Sequence, residues 1–272
     1  MTQLRGGIGH RLSGFDFEKY SKKQLSESFS SYGSAQNFID GCDFVYAKIN
    51  NSIASNCFLK DVKKINQILL WGDSYAQMLT YGLLKNLPSN SQLLQVSSRG
   101  CQASIFENNG SDQNYCTQSN YFAKKTIAEV KPKTVIISQN SNLSAENAQL
   151  FSSKLHELGV ERVIFVGKPP EWIEPLPKLI FRRMPKPTPT YSSDGLLKAE
   201  VARGALISAS SLRLGKNDVY LNLLDVLCRT EGCRVFLGDN VEQGVTALDD
   251  RHLTPVASEY VVRHYLKLLF IQ

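Results

Sequence analysis

The chain has 272 residues, a net charge of +6 and 42% hydrophobic residues. This length and composition suit one large folded domain, or one domain with an extension, and exclude wholesale disorder. The basic residues form no dense stripe with interleaved aromatic residues, so the sequence argues against nucleic-acid binding. The short basic clusters at 60–64 and 182–186 indicate a solvated surface or, alternatively, attraction to an anionic surface or glycan.

The chain contains six cysteines, and their spacing indicates the cellular compartment in which the protein folds. They fall into three pairs of sequence neighbours, and none has the Cys-x-x-Cys spacing typical of metal or redox sites. Pairing by neighbour would close three loop regions, and the alternative is a set of buried reduced thiols. The neighbour pairs are Cys42–Cys57, Cys101–Cys116 and Cys228–Cys233. Because disulfides persist in oxidising compartments, this pairing predicts an extracytoplasmic location.

The rest of the sequence supplies no export signal for such a location. No uninterrupted apolar segment approaches the span of a membrane helix, and Met1 to Arg11 lack the apolar core of a signal peptide. We therefore expect the export signal to lie outside this chain, as it would for the soluble domain of a larger membrane or exported protein.

Residues 1–60 are polar and irregular, with short helical stretches such as Phe17 to Ser28, and predict a linker or N-terminal extension. From residue 61 to 272 we expect a single domain in which strands and helices alternate. Short apolar runs rich in Val, Ile and Leu predict the strands Ile65–Trp71, Leu93–Ser97, Thr134–Ser138, Arg162–Val166 and Val219–Leu223.

Helical patterns separate these strands, which predicts a parallel sheet covered on both faces. The expected helices are Tyr75–Lys85, Asn120–Val130, Ser144–Leu158, Asp194–Ser211 and Pro255–Leu269. The segment from Lys168 to Tyr191 interrupts the alternation. It carries seven prolines and predicts an ordered excursion without a helix. Its position after the fourth strand fits a wall of a substrate cleft, or else a surface loop.

The motif Gly72-Asp73-Ser74 ends the first apolar strand, immediately before a helical pattern. Backbone N–H groups at such a junction can stabilise developing negative charge beside the serine hydroxyl. Gly72 permits a tight turn, and Asp73 can hydrogen-bond locally to hold it. A helix N-cap is the alternative interpretation of this motif.

His252 lies in a polar loop near the C-terminus, whereas His156 and His264 fall within helical patterns and His10 in the linker. Asp249, three residues before His252, can place its carboxylate on one ring nitrogen. The other nitrogen is then free to accept the serine proton. The alternative is a surface histidine beside a capping carboxylate, which Asp250 would supply equally well.

Together these motifs resemble the SGNH (GDSL-like) hydrolase family, and most closely the periplasmic SGNH domain of acyltransferase family 3 polysaccharide O-acyltransferases. The resemblance runs from about Cys42 to the C-terminus. It rests on the strand ending in Gly72-Asp73-Ser74, the strand 163–167 with its Pro-containing loop, the Cys228/Cys233 pair, and the motif from Asp249 to Thr254. It implies a three-layer, flavodoxin-like α/β fold with a central parallel sheet of about five strands and helices on both faces.

The resemblance also implies roles for single residues. Ser74 would be the nucleophile, His252 the general base and then the general acid, and Asp249 the carboxylate that orients His252. The oxyanion hole would use the backbone N–H groups of Ser74 and Gly100 with the side chain of Asn140. The family's usual Gly-x-Asn is Ser138-Gln139-Asn140 here, and Asn142 is the other asparagine nearby. Tyr75 is a second departure, since histidine often follows the serine in the fused subgroup. No metal ligands are expected.

The function implied is serine-dependent O-acyl transfer, more narrowly O-acetyl transfer, to a surface polysaccharide such as lipopolysaccharide through an acyl-Ser74 intermediate. The domain would be monomeric, periplasmic and tethered to the inner membrane by a membrane-embedded acyltransferase domain. It would bind no cofactor, because that membrane domain would deliver the acyl donor, for example an acetyl-CoA-derived group. The acceptor would be a surface glycan or a lipid-linked oligosaccharide.

Two other functions fit the same residues. Water in place of the sugar hydroxyl would make the protein a stand-alone carbohydrate O-acetyl esterase, since both acceptors use the same base. A non-catalytic glycan-binding module is the third possibility. The set Ser74, Asp249 and His252 argues against that module, because binding alone does not require it.

Overall fold

In the computed structural model, a parallel five-stranded sheet forms the centre of the protein. The structure describes residues 42–44, 53–105, 114–141, 144–185, 187–199, 214–239 and 241–267. The sheet has the strand order β2-β1-β3-β4-β6, and all neighbouring strands are parallel. Its strands are β1 (Asn66–Gly72), β2 (Ser91–Ser97), β3 (Thr134–Ser138), β4 (Arg162–Val166) and β6 (Val219–Leu221). This order is the flavodoxin-like one, which confirms the predicted fold class.

Helices cover both faces of the sheet. They are α1 (Ser74–Gln77), α2 (Thr80–Asn86), α3 (Tyr115–Val130), α4 (Ala145–Glu157), α5 (Leu176–Arg182), α6 (Leu223–Leu227), α7 (Val241–Gly244) and α8 (Pro255–Val261). A π-helical turn, Val262–Leu266, continues α8. In the described part of the chain, no helix is both long and apolar enough to cross a bilayer.

Side chains alternate between the two faces along β1, as the two-residue period of a strand requires. Leu69 and Trp71 pack with Phe151 of α4 in one core cluster. Leu70 lies in a second cluster with Val261 of α8. Because β1 lies between β2 and β3 and is buried on both sides, its sequence is almost continuously apolar.

A smaller antiparallel sheet lies beside the main one, with the strand order β5-β8-β7. Its strands are β5 (Tyr191–Ser192), β7 (Cys228–Arg229) and β8 (Gly232–Arg234). A third core cluster joins this sheet to the proline-rich excursion, since Trp172 and Leu179 pack there with Val235 and Phe236.

Three disulfides join Cys42 to Cys57, Cys101 to Cys116 and Cys228 to Cys233. They are the three neighbour pairings expected from the sequence. Residues of the first loop, Phe44 and Ile53 among them, are buried in the cluster around β1. The domain boundary at residue 60 stays a prediction, but these residues share their core with the part of the chain that follows it.

Some helical predictions differ from the structure. The helix expected over Asn120–Val130 begins earlier, at Tyr115. The helix expected over Tyr75–Lys85 is two helices, because the N–H of Leu79 bonds to the carbonyl of Ala76 at 3.0 Å. This tight i to i−3 bond interrupts the regular α-helical ladder. The proline-rich excursion was expected to lack a helix but contains α5. Pro175 and Pro177 stand at its first positions, where the missing N–H groups cost no helical hydrogen bond.

Other predicted segments lie partly or wholly outside the described residues. The linker helix Phe17 to Ser28 and His10 are among them, as is Asn142. Of the expected helix Asp194–Ser211, residues 200–211 are not described, and residues 194–195 form a turn instead.

Candidate active site

The carboxyl ends of β1, β2 and β3 lie side by side at one edge of the sheet. Gly72 is in register with Ser97 of β2 and with Ser138 of β3. Ser74 begins α1 directly beyond this edge, and its backbone N–H occupies the first helical turn, where no intrahelical acceptor exists. The edge therefore presents a hydroxyl and an N–H donor at the same residue, and that N–H has no acceptor among the described residues.

This turn requires glycine at position 72, because a side chain would not fit there. Its φ is +148°, and an added Cβ would lie 1.9 Å from the carbonyl oxygen of Ser138. Glycine alone adopts this backbone conformation without strain while tolerating such a close approach. The sequence Gly-Asp-Ser thus brings Ser74 close to the end of the neighbouring strand.

Ser74, His252 and Asp249 form a continuous hydrogen-bonded chain. Nε2 of His252 lies 2.9 Å from the Oγ of Ser74, and Nδ1 of His252 lies 2.7 Å from Oδ2 of Asp249. An ionised carboxylate can only accept, so Nδ1 carries the proton and Nε2 is left to accept from the serine hydroxyl. The two motifs, 178 residues apart in sequence, meet in the arrangement of a nucleophile, its base and an orienting carboxylate.

The carboxylate of Asp249 is held in its ionised form. Burial alone raises its pKa, but hydrogen bonds from the His252 ring and from the N–H groups of His252 and Arg251 outweigh that effect. They lower the pKa of Asp249 to about 2. The two N–H donors lie 2.8 Å and 2.9 Å from Oδ1, which leaves Oδ2 for the imidazole. Asp249 is therefore charged at neutral pH and fixes one tautomer of His252.

The proline-rich excursion supports this loop from outside. The N–H of Trp172 donates to the carbonyl of Asp250 at 2.8 Å, and the N–H of Leu176 donates to the carbonyl of Asp249 at 3.0 Å. Trp172 is buried. The excursion thus packs against the loop that carries Asp249 and His252, while its expected role as a wall of a substrate cleft stays a prediction.

Tyr75 links the same excursion to the imidazole. Its ring centroid lies 5.4 Å from that of His252, and its hydroxyl donates to Oε1 of Glu171 at 3.3 Å. Glu171 is buried and also pairs with Lys168. Burial and the charge of Glu171 raise the pKa of Tyr75 well above its usual range, so its hydroxyl stays a donor. The sequence singled out Tyr75 only as a departure from the family pattern.

Asp73 joins the nucleophile turn to the loop after β3. Its Oδ1 accepts from the N–H of Tyr75 at 2.8 Å, and its Oδ2 accepts from the N–H of Asn140 at 2.8 Å. The side chain is buried, and that burial raises its pKa, although the two N–H donors and the neighbouring His252 act in the opposite direction. The local role expected for Asp73 is present, and the longer-range contact to Asn140 adds to it.

Asn140 itself is exposed, and its side chain makes no hydrogen bond to the described residues. Its neighbour Gln139 is buried and accepts from the N–H of Ala103 at 2.9 Å, which ties the β3 loop to the β2 loop. Ser138, at the position of the family's usual glycine, has a buried hydroxyl without a partner among the described residues. The Asn140 side chain is thus positioned beyond the edge of the sheet and is free to donate.

Gly100 belongs to a loop that is anchored by a buried charge. Its φ is +74°, a conformation that favours glycine, and its N–H makes no hydrogen bond to the described residues. Next to it, the N–H and Nε of Arg99 donate to Asp43 at 3.1 Å and 3.0 Å. Asp43 also accepts from the side chain of Gln77 at 3.2 Å. Burial raises the pKa of Asp43, and these donors partly offset that rise.

Sequence reasoning missed Asp43 and Glu171 as parts of this site. Both are buried carboxylates on segments without a periodic pattern, so nothing local in the sequence distinguished them from surface acids.

The described residues contain no group of three or more His, Cys, Asp or Glu side chains suited to a metal ion. The N–H of Ser74 belongs to the first turn of α1 and lies beside its own hydroxyl, which suits stabilisation of an oxyanion.

Comparison with known proteins identifies the family and a similar fold. The family model described as "SGNH domain (fused to AT3 domains)" matches residues 41–267. The periplasmic domain of a lipopolysaccharide acetyltransferase from Salmonella ser. Paratyphi A is similar in structure, with a TM-score of 0.68 and 21% sequence identity. The similarity covers 96% of this chain and 99% of that one, and at this identity it bears on the fold. No curated protein sequence matches the chain significantly. The chain therefore belongs to the family of SGNH domains that are fused to AT3 domains.

Proposed function

We propose that the protein transfers O-acyl groups through a covalent acyl-Ser74 intermediate. The observation that carries this proposal is the hydrogen-bonded chain from Ser74 through His252 to Asp249, at 2.9 Å and 2.7 Å. A serine hydroxyl is a weak nucleophile until an adjacent base removes its proton. A histidine whose second nitrogen is held by a carboxylate is the side chain suited to that task.

The reaction has two halves. In the first, Ser74 attacks the acyl carbonyl while Nε2 of His252 takes the hydroxyl proton, and the same proton then passes to the leaving group. In the second, His252 removes a proton from the acceptor, which attacks the acyl-Ser74 ester, and His252 returns that proton to the departing serine oxygen. The carbonyl oxygen carries negative charge in both halves. The proposed donors for that charge are the N–H groups of Ser74 and Gly100 with the Asn140 side chain.

The proposed acceptor is a sugar hydroxyl of a cell-surface polysaccharide or its lipid-linked precursor. Support comes from membership in a family fused to AT3 domains and from the fold shared with a lipopolysaccharide acetyltransferase domain. We propose an acetyl group as the acyl group. A membrane-embedded partner domain would deliver the donor, so this domain needs no bound cofactor. The three disulfides support a periplasmic location, tethered to the inner membrane.

One observation favours esterase activity as a second function. The His252 side chain is 28% exposed and Ser74 is partly exposed, so water can reach the acyl-enzyme when no sugar is bound. Water and a sugar hydroxyl compete for the same base, and exclusion of water decides between them. We therefore expect the isolated domain to hydrolyse activated esters slowly.

The test uses the 272-residue chain and a membrane-linked form that includes the AT3 domain. The chain should hydrolyse p-nitrophenyl acetate, and Ser74→Ala should abolish this, whereas equal rates would contradict the serine mechanism. The membrane-linked protein should transfer a labelled acetyl group onto polysaccharide, and Ser74→Ala should not. Hydrolysis without any transfer by the membrane-linked form would instead support the esterase.

A further inference from the structure

A cluster of arginine and tyrosine side chains lies away from the catalytic residues, where the small sheet meets the end of α8. We call it the arginine–tyrosine patch, and it consists of Arg229, Arg234, Tyr191 and Tyr260. The guanidinium carbons of Arg229 and Arg234 lie 4.7 Å and 4.9 Å from the ring centroid of Tyr191. Arg234 also lies 5.4 Å from the ring of Tyr260, and its Nη2 donates to the hydroxyl of Tyr191 at 2.6 Å.

These two cations have no counter-charge among the described residues. Neither arginine forms an ion pair there, and Glu231 in the turn between them does not pair with either. Nε of Arg234 is buried and has no acceptor in the described part of the chain. Buried N–H donors are nearly always paired in native proteins, so this Nε is unusual among the described residues.

The tyrosine rings hold the guanidinium groups ready for such an acceptor. Stacking on an aromatic ring fixes the planar group, which reduces the entropy lost when it binds a carboxylate or phosphate through two parallel hydrogen bonds. An arginine that is held in this way, with no carboxylate beside it among the described residues, can pair with an incoming anion. The patch is thus a preorganised receptor for an anionic group.

The surroundings favour a saccharide over a bilayer as the carrier of that anion. Among the described residues, the large exposed apolar side chains lie outside the patch; they are Leu59, Val62, Ile65, Leu84, Tyr121, Leu150 and Ile173. A surface that binds a membrane stably adds buried apolar side chains to its positive charge. Partly exposed tyrosines instead present apolar ring faces and polar hydroxyls together, which suits the mixed surface of a sugar.

The patch is rigidly connected to the catalytic loop. The hydroxyl of Thr246 donates to the carbonyl of Arg234 at 2.7 Å, and the N–H of Thr254 donates to the carbonyl of Thr246 at 3.1 Å. Thr254 caps α8, and Tyr260 lies six residues further along, which is about 9 Å of helix. Hydrogen bonds thus join the strand that carries Arg234 to the loop that precedes α8 and carries His252.

We propose that the arginine–tyrosine patch binds a carboxylate or phosphate group on the polysaccharide acceptor, at a sugar other than the one acylated. This inference rests on the proposed function, since it names the chemical class of the acceptor. It predicts an acidic or phosphorylated glycan, and binding that weakens as salt concentration rises.

Isothermal titration of the full chain with tetragalacturonic acid tests this binding, and neutral maltotetraose serves as the comparison ligand. The variants are Arg229→Gln alone and Arg229→Gln with Arg234→Gln. The control, Lys124→Gln with Lys125→Gln, removes the same charge from the exposed side of α3. Arg229 is exposed, so its single variant keeps the test valid if the double variant unfolds.

We expect the wild type to bind the acidic tetramer and not the neutral one. Affinity should fall about tenfold in Arg229→Gln, and further in the double variant, while the lysine control stays within about twofold. Absence of acidic-tetramer binding, or an equal loss in the lysine control, would overturn the proposal. So would arginine-dependent binding to phosphatidylglycerol vesicles without saccharide binding. Hydrolysis of p-nitrophenyl acetate should be unchanged in all of these variants, and this separates failure of the patch from failure of the serine mechanism.

Discussion

Oδ2 of Asp73 accepts a hydrogen bond from the backbone N–H of Asn140 at 2.8 Å, joining the residue before the nucleophile to a proposed oxyanion donor. The two residues follow neighbouring parallel strands whose ends are in register at Gly72 and Ser138. Asp73 thus has a positioning role for two loops at once, because its other oxygen holds the N–H of Tyr75.

Asp73→Asn tests this positioning. The amide can accept only one of the two N–H groups and turns a donor toward the other, so the Asn140 loop should shift. We expect kcat for p-nitrophenyl acetate to fall about tenfold to a hundredfold, since one oxyanion donor contributes about 3 kcal/mol. Combining it with Asn140→Ala should give less than the product of the two single effects. Fully multiplicative effects would show that Asp73 does not act through Asn140.

Asp249→Asn tests the orientation of His252. An amide at this position no longer requires the proton on Nδ1, so the imidazole loses the tautomer that leaves Nε2 as the acceptor. We expect kcat to fall roughly a thousandfold to ten-thousandfold, with KM little changed. Asp250→Asn is the matched control, because the side chain of Asp250 pairs with Arg251 at 3.0 Å and not with His252. Equal losses in both variants would contradict the assignment.

Tyr75→Phe tests the contact between the excursion and the imidazole. The change keeps the ring beside His252 and removes the hydroxyl that donates to Glu171, a buried carboxylate. We expect the free energy of unfolding to fall by about 1 kcal/mol and kcat to fall several-fold at unchanged KM. Glu171→Gln should lower kcat similarly, because an amide also weakens the restraint on Tyr75. A change in KM alone would indicate a substrate contact instead of a positioning role.

His156 predicts a dependence of stability on pH. Burial alone lowers its pKa, but hydrogen bonds to the carbonyl of Val160 at 2.7 Å and to Asp218 at 3.0 Å outweigh burial and raise it. A folded-state pKa above the unfolded value stabilises the protein most below pH about 6.5, and this stabilisation is lost as pH rises through the folded-state value. The melting temperature of the wild type should therefore fall, relative to that of His156→Gln, as pH rises through that range. Parallel pH profiles would contradict this account.

Local sequence signals predicted the sheet and the two motifs that meet at the candidate site. Apolar runs bounded by Gly, Pro and polar residues predicted β3 and β4 at their observed limits, because strands buried on both faces leave a continuous apolar pattern. The Gly-Asp-Ser turn and the Asp-x-x-His loop were recognisable because each is set by short-range geometry. Their meeting followed from the shared carboxyl edge of a parallel sheet.

The features that were not predicted depend on long-range contacts. Asp43 accepts a hydrogen bond from Arg99, 56 residues away in sequence. Glu171 accepts one from Tyr75, 96 residues away. Neither contact leaves a periodic pattern in the sequence. The break between α1 and α2 rests on a single tight hydrogen bond, and α5 begins at prolines that usually argue against a helix.

The most direct test of the central claim is mass spectrometry of the protein, quenched in acid during turnover of p-nitrophenyl acetate. The account predicts one acetyl group, located on the peptide that contains Ser74. It should accumulate quickly in the wild type, slowly in His252→Ala and not at all in Ser74→Ala. Acetylation of another residue at the wild-type rate in Ser74→Ala, with hydrolysis retained, would contradict it.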